Sequence, residues 1–298
     1  MQLNIHPHIK AVLEKGGPVV ALESTLITHG FPAPDNVNIA LSIENAIRKQ
    51  GAVPATIAIL GGQITVGLSP EQIEYLGTAR HVRKCSRRDL PLALARQEDG
   101  ATTVAGTMIV AHRAGIRIFA TGGIGGVHRG QSLDESADLI ELGRTPVTVV
   151  CAGAKAILNL PATMEVLETQ GVPVIGYQTN EFPAFYSRRS GLPVDLRVET
   201  PGEVANIIRA REALNLNMGI LVAAPIPAAE EWPAEEAQQV IDQAILDAET
   251  ESITGKAVTP YLLQRVSDLS GERSKKANIA LLLNNARLAA EVAQALAK

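Results

Sequence analysis

Residues 145–158, TPVTVVCAGAKAIL, restrict the fold of this chain more than any other segment. Positions 147–150 are all β-branched, which is typical of a strand buried on both faces of a parallel sheet. The small residues 151–154 then allow a tight turn at the carboxyl end of the strand. From Lys155 the pattern is helical until Pro161 interrupts it. The segment therefore predicts an α/β fold with a lysine at the sheet edge where such folds bind ligands.

Lys155 has two interpretations. At a helix N-terminus, the positive end of the dipole and partial burial both disfavour the ammonium form. The neutral amine is a nucleophile toward a sugar or carbonyl carbon. The alternative is a solvated lysine in the first turn of a helix, because most lysines are exposed. The small residues that precede Lys155 favour the first interpretation.

The rest of the chain supports the same fold class. With 298 residues, 46% of them hydrophobic and only 3% aromatic, the chain can bury a large core of aliphatic side chains. Predicted strands alternate with helices, so we expect a three-layer α/β/α fold with a central, largely parallel or mixed sheet. No repeat, low-complexity stretch or linker divides the sequence, and we expect a single domain over residues 1–298.

Charge and cysteine content exclude several classes of protein. The net charge is −4 and basic blocks are short, so a nucleic-acid-binding surface is not expected. Cys85 and Cys151 lack metal-site spacing and indicate a reducing compartment. No apolar run reaches the roughly 18 residues that span a bilayer, and the N-terminus lacks a signal-peptide core. We therefore expect a soluble, cytoplasmic protein that does not bind membranes.

A carboxylate follows the first predicted strand. Residues 18–22 (PVVAL) form the strand, and Glu23 comes next beside the hydroxyl residues Ser24 and Thr25. A partly buried carboxylate in this position serves as a general acid or base, and it serves equally well as a cap for the next segment. Further along, Asp35 is predicted to cap a helix over 36–50.

A glycine-rich loop and an acidic segment follow another predicted strand. Residues 121–130, TGGIGGVHRG, contain five glycines, whose N–H groups can approach a phosphate closely. The loop lacks the marks of a P-loop or a dinucleotide fingerprint, and a flexible connection would look the same. Asp134, Glu135, Ser136 and Asp138 then offer oxygen ligands for a magnesium- or manganese-type cation. A capped surface helix would have the same sequence.

Two polar features have equally open interpretations. Lys84, Arg87 and Arg88 form a basic cluster that either binds an anion or is a solvated turn. Asn278 places one amide ahead of an apolar run, which suits a ligand contact or a helix cap.

Several motifs together resemble the pseudouridine-5′-phosphate glycosidase family. They are ALESTLITHG at 21–30, KCSRRDLP at 84–91, FATGGIGGVHRG at 119–130, SADL at 136–139, TVVCAGAKAIL at 148–158 and KKANIALLLNNA at 275–286. The resemblance implies reversible cleavage of the C1′–C5 bond of pseudouridine 5′-phosphate to uracil and ribose 5-phosphate. It further implies a homotrimer with one divalent cation, Mn²⁺, per subunit.

The same resemblance implies roles for individual residues. Lys155 corresponds to the nucleophile that bonds to the sugar, Glu23 to the proton donor and Asp134 to the metal ligand. Substrate contacts are implied at Lys84, Val104, Ser136, Ala137 and Asp138, and His128 and Asn278 lie in matching motifs.

The implied chemistry suits a carbon–carbon glycosidic bond, which has no leaving oxygen or nitrogen to protonate. We expect Lys155 to attack C1′ and Glu23 to exchange a proton with C5 of uracil. Lys84 and amides of the 122–126 loop would hold the phosphate.

Two other functions compete with this one. A ribokinase-type sugar kinase would suit the fold, although the Gly-Ala-Gly-Asp motif and the P-loop are missing. A non-catalytic ligand-binding protein would explain the glycine-rich loop, but not a lysine and a glutamate at two strand ends.

Overall fold

Short, apolar strands buried on both faces form the centre of the molecule. The computed structural model describes residues 3–129, 134–253, 255 and 258–297. Its strands are β1 (Asn4–Ile5), β2 (Val19–Leu22), β3 (Val53–Leu60), β4 (Gln63–Val66), β5 (Arg83–Cys85), β6 (Gly100–Thr102), β7 (Ile118–Ala120), β8 (Val127–His128), β9 (Thr148–Cys151), β10 (Leu158–Asn159), β11 (Val174–Tyr177), β12 (Leu196–Val198) and β13 (Ile220–Ala223).

The main sheet is mixed, with a parallel centre. Its order is β1-β4-β3-β2-β7-β9-β13-β11-β12, and β5 and β6 extend it beside β3. From β3 through β2, β7, β9, β13 and β11 to β12 every neighbouring pair is parallel. Every residue of β2, β9 and β13 is buried, as expected for parallel strands covered on both faces. Antiparallel pairing occurs where β3 meets β4 and β6, and between β8 and β10.

Helices cover both faces of this sheet. They are α1 (Pro7–Glu14), α2 (Asp35–Lys49), α3 (Pro70–Thr78), α4 (Leu90–Ala95), α5 (Val104–Ala114), α6 (Ala137–Leu142), α7 (Leu160–Thr169), α8 (Pro201–Ala213), α9 (Ala234–Thr250), α10 (Val258–Leu269) and α11 (Arg273–Ala297). The long α11 packs on β2, β7 and β9 between α2 and α8, while α5, α6 and α7 form the other layer. The predicted three-layer α/β/α fold is confirmed.

One continuous apolar cluster joins these layers. It contains buried residues from Ile9 to Leu296 and includes the central strands and the inner face of α11. Within the described part of the chain, no helix is both long enough and apolar enough to cross a membrane. Cys85 and Cys151 are both buried and form no disulfide.

Two predicted helix starts are wrong. The helix after β9 begins at Leu160, not at Lys155, because Asn159 caps it by accepting the N–H of Ala162 at 3.1 Å. Pro161 lies in the first turn of α7, where its missing N–H costs nothing, so it starts the helix and does not interrupt it. Asp35 is itself the first residue of α2, after Pro34 at the N-cap position, and its carboxylate accepts from Lys275 Nζ at 2.6 Å.

Candidate active site

The cavity of interest lies at the carboxyl ends of the parallel strands β2, β7 and β9. It measures about 650 Å³. It is lined by every site residue that the family resemblance implies, namely Glu23, Lys84, Val104, His128, Asp134, Ser136, Ala137, Asp138, Lys155 and Asn278. Residues as far apart in the sequence as Glu23 and Asn278 therefore line the same cavity. Their proximity agrees with the prediction, and their individual roles remain predictions.

Glu23 follows β2 and is held by hydroxyl groups. The Thr121 hydroxyl donates to Glu23 Oε1 at 2.5 Å, and the Thr25 hydroxyl donates to Glu23 Oε2. Among the described residues the carboxylate bonds two side chains and no helix N–H, so the capping interpretation is wrong. The neighbouring Ser24 supports the sheet instead, since its hydroxyl donates to the carbonyl of Ile57 at 2.7 Å.

Lys155 lies in an irregular segment between β9 and β10. Its backbone N–H donates to Ile124 O at 3.1 Å, which ties it to the glycine-rich loop. The turn before it depends on Gly153, whose φ of +86° is in the left-handed region and whose missing side chain makes room for the Pro183 carbonyl. Because α7 starts only at Leu160, the helix dipole does not act on this amine as predicted. Burial raises the pKa of the Cys151 thiol to about 12, which keeps that neighbouring sulfur protonated.

Two histidines share the cavity with the lysines. Burial lowers the pKa of His128; the Asp134 carboxylate opposes this effect, and the ammonium groups of Lys155 and Lys84 add to it. Burial, followed by the charge of Lys84, also lowers the pKa of His29. Both imidazoles are therefore neutral near pH 7. On this side of the cavity, Lys84 is close enough for its positive charge to lower the pKa of both imidazole rings.

The start of α5 lies next to the strand that carries Lys84, since the N–H of Thr103 donates to Cys85 O at 3.0 Å, and both segments line one corner of the cavity, which we name the anion-binding corner. Val104, the first residue of α5, lines the cavity although it is only 1% exposed. Thr103 caps the helix by accepting the N–H of Gly106 at 3.3 Å. A helix N-terminus next to an ammonium group favours phosphate.

The glycine-rich loop is less open to a ligand than its sequence suggests. The Ile124 N–H donates to Gly153 O at 3.0 Å, and the Gly125 N–H donates to Asp138 Oδ2 at 2.9 Å. Two of the amides predicted to hold phosphate are therefore engaged within the protein. Gly125 is obligatory because a Cβ there would collide with the Ser136 side chain.

Asp138 connects two parts of the cavity wall. Its Oδ1 accepts the N–H of Ala105 in the first turn of α5 at 2.9 Å, and its Oδ2 accepts the N–H of Gly125. The side chain is only 5% exposed. Ser136 caps α6 by accepting the N–H of Asp138 at 3.2 Å. The segment 136–138 thus holds the glycine-rich loop against the anion-binding corner.

Arg87, from the predicted basic cluster, is committed to a structural ion pair. Its guanidinium donates to both carboxylate oxygens of Glu141, at 2.8 and 2.7 Å, and the Glu141 side chain is 2% exposed. This bidentate pair attaches the cluster to α6, and Lys84 and Arg88 of the same cluster also line the cavity.

The residues around Asp134 fit a hydrated divalent cation and do not fit a closed metal site. Asp134 lines the cavity, and its carbonyl accepts the N–H of His128 at 2.9 Å. Among the described residues, no group of three or more histidine, cysteine or carboxylate side chains converges to hold a metal. Magnesium-type ions bind through one or two carboxylates and otherwise use water and substrate oxygens, which this arrangement allows. Residues 130–133, on which the predicted loop spacing depends, lie outside the described residues.

Comparison with known proteins identifies the family. Residues 8–295 match the family described as indigoidine synthase A like protein. The chain belongs to the indigoidine synthase A-like family.

Curated relatives in this family are enzymes, and so is this chain. It is 58% identical over 296 residues to the pseudouridine-5′-phosphate glycosidase of Methylobacterium nodulans, covering 99% of this chain and 88% of the relative. The glycosidase of Solibacter usitatus is 57% identical over 295 residues, covering 98% and 99%. The predicted family resemblance is confirmed, and the non-catalytic alternative is wrong.

Two solved structures of similar proteins have the same fold. The prealnumycin C-glycosynthase AlnA, in complex with ribulose 5-phosphate, matches with a TM-score of 0.92 and 41% identity over 100% of this chain and 97% of its own. An indigoidine synthase A-like protein from Thermotoga maritima matches with a TM-score of 0.90 and 36% identity over 99% and 97%. The names of the curated relatives and of AlnA favour glycosidic-bond chemistry over the sugar-kinase alternative.

Sequence reasoning missed two residues that support the indigoidine synthase A-like site. The sequence places Thr121 simply at the start of a loop, although its hydroxyl binds Glu23. Asn285, in α11, donates to the carbonyls of Thr121 at 2.9 Å and Gly122 at 3.3 Å. The signal that could have found Asn285 is an amide inside an otherwise apolar helical pattern.

Proposed function

We propose that this enzyme reversibly cleaves the C1′–C5 glycosidic bond of pseudouridine 5′-phosphate to give uracil and ribose 5-phosphate. The observation that carries the proposal is that Lys155 and Glu23 line the same cavity as an anion-binding corner. The names of the relatives support the reaction, and the sugar phosphate named with AlnA supports the substrate class.

The phosphate would bind at the corner formed by Lys84 and the N–H of Val104. A compact ammonium charge and a helix N-terminus together stabilise a dianion without a specific base contact. With the phosphate bound in this corner, the sugar would lie between the corner and Lys155, and the base would face Glu23. Asp138 maintains the corner by tying α5 to the glycine-rich loop.

The proposed chemistry begins with the amine of Lys155. Its nitrogen bonds to C1′, the C1′–O4′ bond breaks, and the proton that the nitrogen loses passes to the ring oxygen. Glu23 protonates C5 of the uracil ring. The nitrogen lone pair then forms the C1′=N iminium, while the electron pair of the C1′–C5 bond stays with uracil, which leaves neutral. Water adds to the iminium, releases ribose 5-phosphate and regenerates the amine, and Glu23 recovers a proton.

We also propose Mn²⁺ as the cofactor, one per subunit, held by Asp134 and water. Bound there, the ion supplies positive charge that orients substrate oxygens. The family resemblance further supports a homotrimer located in the cytoplasm, and light scattering on the purified enzyme measures the assembly directly.

The test is release of uracil from pseudouridine 5′-phosphate, followed by ultraviolet absorbance and chromatography. We expect turnover that a chelator removes and Mn²⁺ restores. Borohydride reduction with ribose 5-phosphate should add one pentose phosphate mass to Lys155. Lys276→Ala, at an exposed lysine outside the cavity, is the matched control and should behave as wild type. Absence of uracil release, or labelling of a different lysine, refutes the proposal.

A further inference from the structure

A buried asparagine in α11 makes contacts that apolar packing does not require. Asn285 is fully buried on the face of the helix that otherwise carries leucine and alanine. Its Nδ2 donates to the carbonyls of Thr121 and Gly122. Since both partners are acceptors, the orientation of the amide is determined. Its Oδ1 is buried and accepts no hydrogen bond from the described residues, which is an unfavourable environment that a leucine of similar size would avoid.

These contacts hold the backbone of the residue that binds Glu23. The N–H of Thr121 donates to Val150 O of β9 at 3.0 Å, and its carbonyl accepts from Asn285. Its peptide groups are therefore fixed from the sheet on one side and from α11 on the other. Threonine is stiff at χ1, so a fixed backbone also fixes the direction of its hydroxyl. That hydroxyl donates to Glu23 Oε1 at 2.5 Å.

Lys155 depends on a different set of contacts. Its position derives from the Gly153 turn and from the bond between its N–H and Ile124 O. None of these bonds includes the Asn285 side chain. The two sets of contacts meet only at the Gly122 carbonyl, which accepts both the Asn285 amide and the N–H of Ala152 at 2.9 Å. Because the bond from Ala152 remains when the amide is removed, a change at Asn285 is expected to affect Glu23 more than Lys155.

We propose that Asn285 is a positioning residue for the proton-transfer step, acting through Thr121 on the carboxylate of Glu23. The inference rests on the proposed function, because it needs a step in which Glu23 exchanges a proton with C5 of uracil. Its consequence is that the proton transfer and the formation of the lysine adduct can be uncoupled by mutation.

The experiment compares two partial reactions in Asn285→Leu. The first is release of tritium from uracil labelled at C5 during synthesis from ribose 5-phosphate, which reports on proton transfer. The second is borohydride trapping of ribose 5-phosphate on Lys155, which reports on the adduct. We expect at least about a tenfold loss in the first and less than about a twofold change in the second, since Thr121 loses its contact with α11 while Gly122 O keeps its bond from the Ala152 N–H.

Asn284→Leu is the matched control. The neighbouring amide donates to Pro225 O at 3.3 Å and makes no hydrogen bond to the described part of the loop that carries Thr121. Both partial reactions should stay within about twofold of wild type, as expected for a peripheral bond.

A second variant tests the connection through the hydroxyl. Thr121→Val should show the same selective loss of tritium release. Adding Asn285→Leu to Thr121→Val should lower tritium release by less than about another twofold, because both changes act on one contact. If Asn285→Leu does not fold, Asn285→Ser provides the same comparison.

Three results would overturn the inference: equal losses in both partial reactions, no loss in either, or losses that multiply in the double variant. A wild-type enzyme that forms no Lys155 adduct refutes the proposed function itself, and the inference with it.

Discussion

Asp138 offers a direct test of how the cavity wall is held together. Its two carboxylate oxygens each accept one backbone N–H, from Ala105 and Gly125, both at 2.9 Å. In Asp138→Asn the side-chain NH₂ must face one of these N–H groups, so one charge-assisted hydrogen bond is lost and its donor is left buried. Such a bond contributes about 1.5–3 kcal/mol. With the entropy of unfolding typical of a chain of this size, the expected decrease in Tm is about 2–5 °C.

Differential scanning calorimetry measures this decrease, and the Michaelis constant for ribose 5-phosphate measures its effect on the anion-binding corner. We expect the Michaelis constant to rise, because α5 and the glycine-rich loop are no longer tied together. Asp134→Asn is the matched control: it removes the same charge from the same segment, where the carboxylate accepts no hydrogen bond from the described residues. Compared as metal-free enzymes, Asp134→Asn and wild type should have Tm values within about 1 °C of each other. An Asp138→Asn enzyme that melts like wild type would show that these two bonds do not support the wall.

Three further predictions concern other residues of the site. Lys155→Ala should abolish uracil release while leaving Tm nearly unchanged, and turnover at the wild-type rate would refute the lysine mechanism. Gly153→Ala should lower activity at least about 100-fold, since its backbone is left-handed and a Cβ would meet Pro183 O; Gly171→Ala, also left-handed but in open space, should retain activity. Burial and a nearby ammonium group lower the folded-state pKa of His29, so the unfolded chain binds the proton first and stability falls as pH drops below about 6.5. His29→Gln should flatten that part of the stability curve in thermal melts, and an unchanged curve would contradict the assignment.

Much of the architecture is readable from local patterns. The β-branched run at 147–150 predicts β9, and the capping residues Ser69 and Thr200 mark the helices that follow them, each with a proline in the first turn. These features are local because burial on both faces and the capping of free N–H groups depend on neighbours within a few positions. The predicted helix at Lys155 was wrong because it, too, relied only on neighbouring residues: the apolar residues after the lysine suggested a helix. They are buried because that segment pairs with β8 and lies against the core.

The sequence by itself determined the kind of sheet, the residues at its carboxyl edge and the motifs that place the chain in its family. Only the tertiary structure decided which of those residues meet, because the order β2-β7-β9 brings Glu23, Thr121 and Lys155 side by side although they are distant in the chain. It also decided what holds them, since the partner of the Thr121 carbonyl comes from a helix more than 160 residues away. Hydrogen bonds of that range follow from the packing of layers, and no local pattern encodes them.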